Sequence, residues 1–313
     1  MSNTKNNIKY KAPLSHQLNP GHSACAGCGM IIAARLVMDT AGPNTIVTNA
    51  TGCSEVTTTQ YPMTSFKMPW IHSLFENPAP MASGILAALK VKGLEDKVNV
   101  LVVGGDGATF DIGIGLISGM WERGENTLYI CYDNEAYQNT GYQSSSSTPF
   151  DANTTTTPPG KKSSGSQQLK KDMIGIALAH NLPYVATASV GNTLDVVAKV
   201  KKALSIKGPK YLQIYCPCVP GWGIEPKDTM NVARSAVQSG FYPIVEYIDG
   251  ELVSKKSAQG GSALGGVTKK VSIEEFLKPQ KRFKHLFKDE NGKLEIAKIQ
   301  KIADENIEKY KLI

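Results

Sequence analysis

Five short, mostly apolar segments, 45–49, 99–103, 127–132, 184–188 and 210–215, are each bounded by Gly, Pro, Asn or Asp. The stretches 81–92, 111–123, 169–181 and 193–205 between them carry helical periodicity, several with a plausible capping residue at the start. This alternation predicts an α/β fold, a mostly parallel sheet with helices on both faces, because a parallel pair needs a crossover long enough to hold a helix. In such a sheet ligands collect at the carboxyl ends of the strands. The residues that follow each candidate strand are therefore where chemistry is sought.

With 313 residues, 41% of them hydrophobic, the chain is long enough to bury a sizeable core, which excludes disorder for most of its length. No apolar run approaches the roughly 18 residues of a membrane span, and the first residues lack the apolar core of a secretory signal. A cytoplasmic protein with no membrane contact is expected. The net charge of +7 suits an acidic protein partner, but the basic residues are spread out and no aromatic-and-basic platform is visible, so nucleic acid is not expected as a partner. Residues 1–250 read as one cofactor-binding domain. Residues 251–313, rich in Lys and Glu with a glycine-rich patch at 260–266 and a final helix, read as an extension that docks on partner subunits. The stretch 143–168, built from Ser, Thr, Pro, Gly and Lys, reads as a long loop too polar to pack, either a surface excursion or a cover over the active site.

Six cysteines in a chain of this length with no export signal are too few for a disulfide scaffold, which leaves metal binding or catalysis. Cys25 and Cys28 stand at the spacing that points two sulfurs at one metal centre, and the glycines beside them allow a tight backbone turn. By itself this pair also fits a redox function or half of a zinc site, with His22 three residues ahead. Cys53 follows the end of a candidate strand. In Cys216-Pro217-Cys218 the proline makes strand alternation unreliable, so spacing alone does not choose between the two cysteines. Cys131, inside an apolar strand, reads as a small buried hydrophobe.

A second constellation is Gly104-Gly105-Asp106-Gly107 at one strand end, with Asp133-Asn134 at the end of the next, 28 positions after Asp106. Glycines there allow a diphosphate to approach the backbone, and the helix expected from Asp111 offers its positive end nearby. Asp106 and Asn134 are hard oxygen donors suited to Mg²⁺ bridging to that diphosphate.

That spacing is the one found in thiamine diphosphate enzymes, and the chain resembles the beta subunit of the 2-oxoacid:ferredoxin oxidoreductases of the pyruvate and oxalate branch. The resemblance runs over most of the chain. It rests on Gly21-His22-x-x-Cys25-x-x-Cys28-Gly29, Asn49-Ala-Thr51-Gly52-Cys53, Ser73-Leu-Phe-Glu76, Gly105-Asp106-Gly107 with Asp111-Ile-Gly113, and Asp133-Asn134-Glu135-Ala-Tyr137-Gln-Asn139-Thr140-Gly141. It continues through Pro217-Cys218 with Gly221-Trp222 and Gln280-Lys-Arg282-Phe283.

The resemblance implies that Cys25, Cys28, Cys53 and Cys218 hold one 4Fe-4S cluster. It implies Mg²⁺ on the Asp106 carboxylate, the Asn134 side chain and the Ala136 carbonyl, with Gly52, Gly105, Gly107 and Gly141 beside thiamine diphosphate. Thr51, Asn139 and Thr140 are implied near the thiazolium and substrate, Thr51 and Asn139 in catalytic roles. The expected reaction is oxidative decarboxylation of pyruvate with coenzyme A and ferredoxin, in an assembly whose other subunits supply the activating glutamate and further clusters. Oxalate, converted to CO₂ without coenzyme A, is the alternative substrate. A non-catalytic iron-sulfur or zinc protein that binds a nucleotide is the alternative of another class.

Overall fold

The computed structural model describes residues 16–255, 271–310 and 312; the start of the chain and the glycine-rich patch at 260–266 lie outside the described residues. Eight strands form one sheet: β1 (Thr45–Asn49), β2 (Trp70–His72), β3 (Asn99–Gly105), β4 (Leu128–Asp133), β5 (Tyr184–Ser189), β6 (Lys210–Tyr215), β7 (Val245–Ile248) and β8 (Glu251–Lys255). Their order is β2-β1-β3-β4-β6-β5-β7-β8, with the first six parallel and β7 and β8 antiparallel at one edge. All five strands expected from sequence are present. The three that were not expected sit toward the edges, where β2 has three residues and β7 and β8 are short and carry Glu246 and Glu251 among their apolar residues, so no long apolar run marks them.

The helices are α1 (Gly29–Ala41), α2 (Cys53–Thr58), α3 (Pro78–Val91), α4 (Ile114–Glu122), α5 (Met173–Ala179), α6 (Thr193–Ser205), α7 (Val219–Trp222), α8 (Thr229–Gln238), α9 (Ile273–Leu277) and α10 (Glu290–Lys309). Strand residues alternate between two cores. Leu101, Val103, Ile130 and Leu212 meet residues of α1, α6 and α8 on one face, while Val100, Val102, Tyr129 and Tyr211 meet α3, α4 and α5 on the other. This is the two-sided burial that the strand composition requires.

Three expected helices start elsewhere, and the one read from 81 begins at Pro78. The helix read from Asp111 begins at Gly107 as a π-helical turn, Gly107–Ile112, because the Asp111 carboxylate is turned away to accept from the Tyr137 hydroxyl (2.9 Å) and the Ser146 amide (3.1 Å). The helix read from 169 begins at Met173, capped by Asp172. Lys170 and Lys171 ahead of it are drawn inward, Lys170 to Asp133 and Lys171 to the Phe110 carbonyl.

The polar stretch 143–168 does pack, contrary to expectation: Ser147 and Asp151 are fully buried, and Thr148 is nearly so. Its hydroxyls and amides find internal partners, among them Ser145 to Asp106 (2.5 Å), Ser147 to Asp133 (2.6 Å), Thr148 to the Glu135 carbonyl (2.8 Å) and the Asp151 amide to the Ser166 carbonyl (2.7 Å). Groups satisfied in this way are buried without the penalty of unpaired polar atoms, a penalty that Asp151 Oδ2, without a hydrogen-bond partner, still carries.

The expected boundary at 250 also fails, since it falls in the turn between the paired strands β7 and β8. Phe276, Leu277, Phe283, Leu286, Ile299 and Ala303 belong to the same core as Val47 and Leu101, and Ile307 belongs to the core on the opposite face. The apolar side of the tail is thus spent on its own sheet. Phe276→Ala is expected to destabilise the chain by about 3–5 kcal/mol in denaturant titration, and removal of residues 256–313 to leave an aggregating chain in place of a folded 1–255 domain.

Candidate active site

The connection from β1 leads to β2 on one side, and the connection from β3 leads to β4 on the other. This divergence opens a crevice at the carboxyl ends of β1 and β3, the general ligand position in an open α/β sheet. A cavity occupies it, lined by Thr51, Gly52 and Cys53 after β1, Gly105–Ala108 after β3, Asn134 and Ala136–Thr140 after β4, and Phe75. Most of the residues singled out from sequence meet there. Gly141 does not line the cavity, and neither do Cys25, Cys28 and Cys218. Phe75, Ala108, Tyr137 and Gln138 line it without having been singled out. Tyr137 packs so closely on Gly107 that a β-carbon there would lie 2.3 Å from the ring.

Within the cavity the Asn134 side-chain amide lies 2.9 Å from both Asp106 Oδ1 and the Ala136 carbonyl oxygen, where its NH2 can donate to the two of them or, turned over, its oxygen can join them around a cation. With the amide oxygen turned inward the three oxygens would repel one another unless a cation sat among them. Their separation also fits the ion. Two adjacent ligands of octahedral Mg²⁺ at about 2.0–2.1 Å lie roughly 2.9 Å apart. Asp106 is 1% exposed. Burial and the Asp133 carboxylate push its carboxyl well above the usual range, against the opposing pull of the Ser145 hydroxyl and Lys170. A divalent cation at Oδ1 would stabilise the ionised form.

Beneath these oxygens lies a layer of buried charge. Asp133 accepts from Ser147 (2.6 Å), Gln213 (2.7 Å) and Lys170 (2.6 Å). Glu135 accepts from Arg282 (2.7 Å), Lys170 (3.2 Å) and the Tyr215 hydroxyl (3.3 Å). Burial works to lower Lys170, but the two carboxylates prevail and hold it above its ordinary value. Neither Lys170 nor Arg282 is near β4 in sequence, so nothing in the local pattern assigns them to this layer.

At the mouth of the cavity the Thr51 hydroxyl pairs with His72 Nε2 (2.8 Å), and the His72 ring stacks on Trp70. His72 was not singled out because the edge strand that carries it was not recognised. Cys53 Sγ lies 3.8 Å from Asn139 Oδ1. The Thr140 hydroxyl is turned to Gln143 (2.7 Å).

Cys53 also belongs to a group of four thiols. Cys25 and Cys28 form a turn ahead of α1, Cys53 opens α2 and Cys218 precedes α7. Gly29 brings the first pair against the last: its amide donates to the Pro217 carbonyl (3.1 Å), and a β-carbon on it would lie 2.8 Å from that oxygen. Burial, and then the neighbouring thiols of the group, push Cys53 up to about 12. Cys218 is pushed to about 12 as well, chiefly by burial and further by Cys53, Cys28 and Cys25. Sulfurs that disfavour one another's ionisation suit a cationic centre. Cys131 and Cys216 are fully buried in the two cores, and Cys216 Sγ is turned to the Ile214 carbonyl. Among the described residues no three His, Cys, Asp or Glu side chains converge as a single ion requires. Among those residues, too, no helix is long and apolar enough to cross a membrane.

Comparison with known proteins places the chain in a family. Residues 50–214 match the family model of the thiamine pyrophosphate enzyme C-terminal TPP-binding domain. The chain is 50% identical to the pyruvate synthase subunit PorB of Methanosarcina barkeri, over 94% of this chain and 97% of that one. It is 49% identical to PorB of Methanocaldococcus jannaschii, over 95% and 97%. A 2-oxoglutarate:ferredoxin oxidoreductase from Magnetococcus marinus, solved with 2-oxoglutarate, coenzyme A and succinyl-CoA, shares the fold with a TM-score of 0.56 at 22% identity, over 70% of this chain and 79% of that one. A thiamine pyrophosphate domain that fills the crevice region, within a match that extends nearly end to end, makes this chain a member of the PorB family of pyruvate synthase subunits.

Proposed function

We propose that the chain is the subunit of a pyruvate:ferredoxin oxidoreductase that binds the diphosphate end of the cofactor and carries the first electron acceptor. The observation that carries this reading is the convergence of the Asp106 carboxylate, the Asn134 side-chain amide and the Ala136 carbonyl, set in a cavity whose wall includes Cys53 of the four-thiol group. Asp106, Asn134 and the Ala136 carbonyl would hold Mg²⁺. Gly52, Gly105 and Gly107 would admit the diphosphate to the backbone, and Gly141 would let the chain turn beyond Thr140. Thiamine diphosphate, when bound, supplies the nucleophilic carbon that decarboxylates a 2-oxoacid.

Around that carbon the chain contributes positioning and exclusion of water. Thr51, oriented by His72, and Asn139 would face the reacting end with Thr140 beside them, while Phe75 and Tyr137 form an apolar wall that excludes water. Cys25, Cys28, Cys53 and Cys218 would hold a 4Fe-4S cluster close enough to take electrons from this cavity, on their way to ferredoxin through partner subunits. The names of the PorB relatives favour pyruvate, with coenzyme A as acyl acceptor, over oxalate. Membership of this family also weighs against a non-catalytic nucleotide-binding protein.

Three outcomes test the reading. Analysis of anaerobically purified protein is expected to give about four iron and four acid-labile sulfide per chain; Cys218→Ser should damage the cluster absorbance, while Cys216→Ser leaves it largely intact. Zinc without sulfide would overturn this assignment. Asp106→Ala should abolish thiamine diphosphate binding with fold and cluster retained, and Asn134→Ala should weaken it less because the lost ligand is neutral; calorimetry with Mg²⁺ present reads both. Finally, the chain alone, loaded with cluster, Mg²⁺ and thiamine diphosphate, should not reduce a viologen dye with pyruvate until its partner subunits are added. Activation of the cofactor needs a carboxylate at its aminopyrimidine, whereas Asp106 and Asp133 stand at the diphosphate end. Turnover by the isolated chain at the rate of the assembly would refute this and direct mutation to Glu55 and Glu76.

A further inference from the structure

Glu135 lies between Asn134 and Ala136, which bring a side-chain amide and a backbone carbonyl toward Asp106, and its backbone is left-handed, φ +64°. A residue with a β-carbon adopts that conformation at a cost and stays in it only where its surroundings hold it. Here neighbouring charges hold it. The Glu135 side chain, 1% exposed, points away from the cavity into the layer of buried charge, where Arg282 Nη2 (2.7 Å) and Lys170 Nζ (3.2 Å) anchor it.

Arg282 is itself fixed. Its guanidinium stacks 3.8 Å from the centroid of the Trp222 ring, and its Nε donates to Gln280 Oε1 (2.9 Å). The same Trp222 donates from Nε1 to the Asn134 carbonyl (3.0 Å). One arginine from the tail segment ahead of α10 therefore grips the 134–136 turn twice, directly through Glu135 and indirectly through Trp222.

Resting on the proposed metal site, we infer that the Arg282–Glu135 pair is the positioning device of that site. The pair holds the turn in its left-handed form so that two of the three oxygens face Asp106. Neither residue touches the cavity, so both act through Asn134 and Ala136. Groups that orient metal ligands typically set affinity by about 10–100-fold.

The test uses the oxidoreductase co-purified with its partner subunits, stripped of metal and cofactor by a chelator, then titrated with Mg²⁺ at fixed thiamine diphosphate while bound cofactor is measured by equilibrium dialysis. Arg282→Met keeps volume over Trp222 without the charge, and Glu135→Gln keeps size and an acceptor oxygen, so the second remains informative where the first folds poorly. In each the Mg²⁺ concentration for half-saturation should rise about 10–100-fold, with one cofactor per chain still bound at saturating Mg²⁺ and the cluster spectrum unchanged. The double variant should rise no further than the larger single effect, since one pair is removed either way. A purely structural pair would lower the unfolding midpoint and leave the Mg²⁺ requirement of folded protein where it was; that result overturns the inference. Wild-type assembly that binds no thiamine diphosphate at any Mg²⁺ concentration would instead overturn the proposed function, and the inference with it.

Discussion

Parallel pairing of β1, β3, β4 and β6 brings the carboxyl ends of four strands onto one rim, and every group discussed above depends on that register. Val103 pairs with Asn49, Gly105 with Tyr132 and Asp133 with Tyr215. Residues 51–53, 105–107, 134–136 and 216–218 are consequently neighbours although up to about 165 positions separate them in the chain. A parallel strand cannot reverse within a tight turn, so each must return through a crossover and emerge again on the same side. The cavity stands where those returns diverge.

Charge buried beneath the rim is the second constraint. Asp106, Asp133 and Glu135 lie together with almost no access to water, and among the described residues Lys170 and Arg282 are the cations paired with this group. Such an arrangement is tolerable because each oxygen of Asp133 and Glu135 is met by a donor, and breaking a buried pair of this kind typically costs about 3–5 kcal/mol. Asp106 is the member whose charge is least compensated, with two hydrogen-bond donors and no direct cation. It is also the member that faces the cavity. Positive charge is lacking where a metal ion would supply it.

The stretch 143–168 and the C-terminal tail both serve this layer. Ser145 and Ser147 enter it from above, Lys170 from the strand of chain that follows, and Arg282 from the tail. A charged layer assembled from four distant segments ties the site to the global fold. Loss of tail packing is therefore a loss of the site, which a separate appendage would not cause.

How much of this was legible beforehand depends on whether a residue's partner is local. Alternation of apolar strands and amphipathic helices declared the sheet, and glycines at strand ends with Asp106 and Asn134 declared where ligands would collect, because strand periodicity and ligand chemistry are properties of adjacent residues. The four cysteines were nominated by family resemblance. What sets Cys218 apart from Cys216 appears only in the tertiary structure, which leaves one thiol beside Cys53 and buries the other in the core. Burial of the serine-rich stretch was illegible for the same reason, since its hydroxyls are satisfied by Asp106 and Asp133, far upstream. The sequence by itself determined the kind of sheet, its rim and the donors on it; tertiary structure alone decided which distant charges hold those donors in place, because pairing energies act across space and leave no periodic mark along the chain.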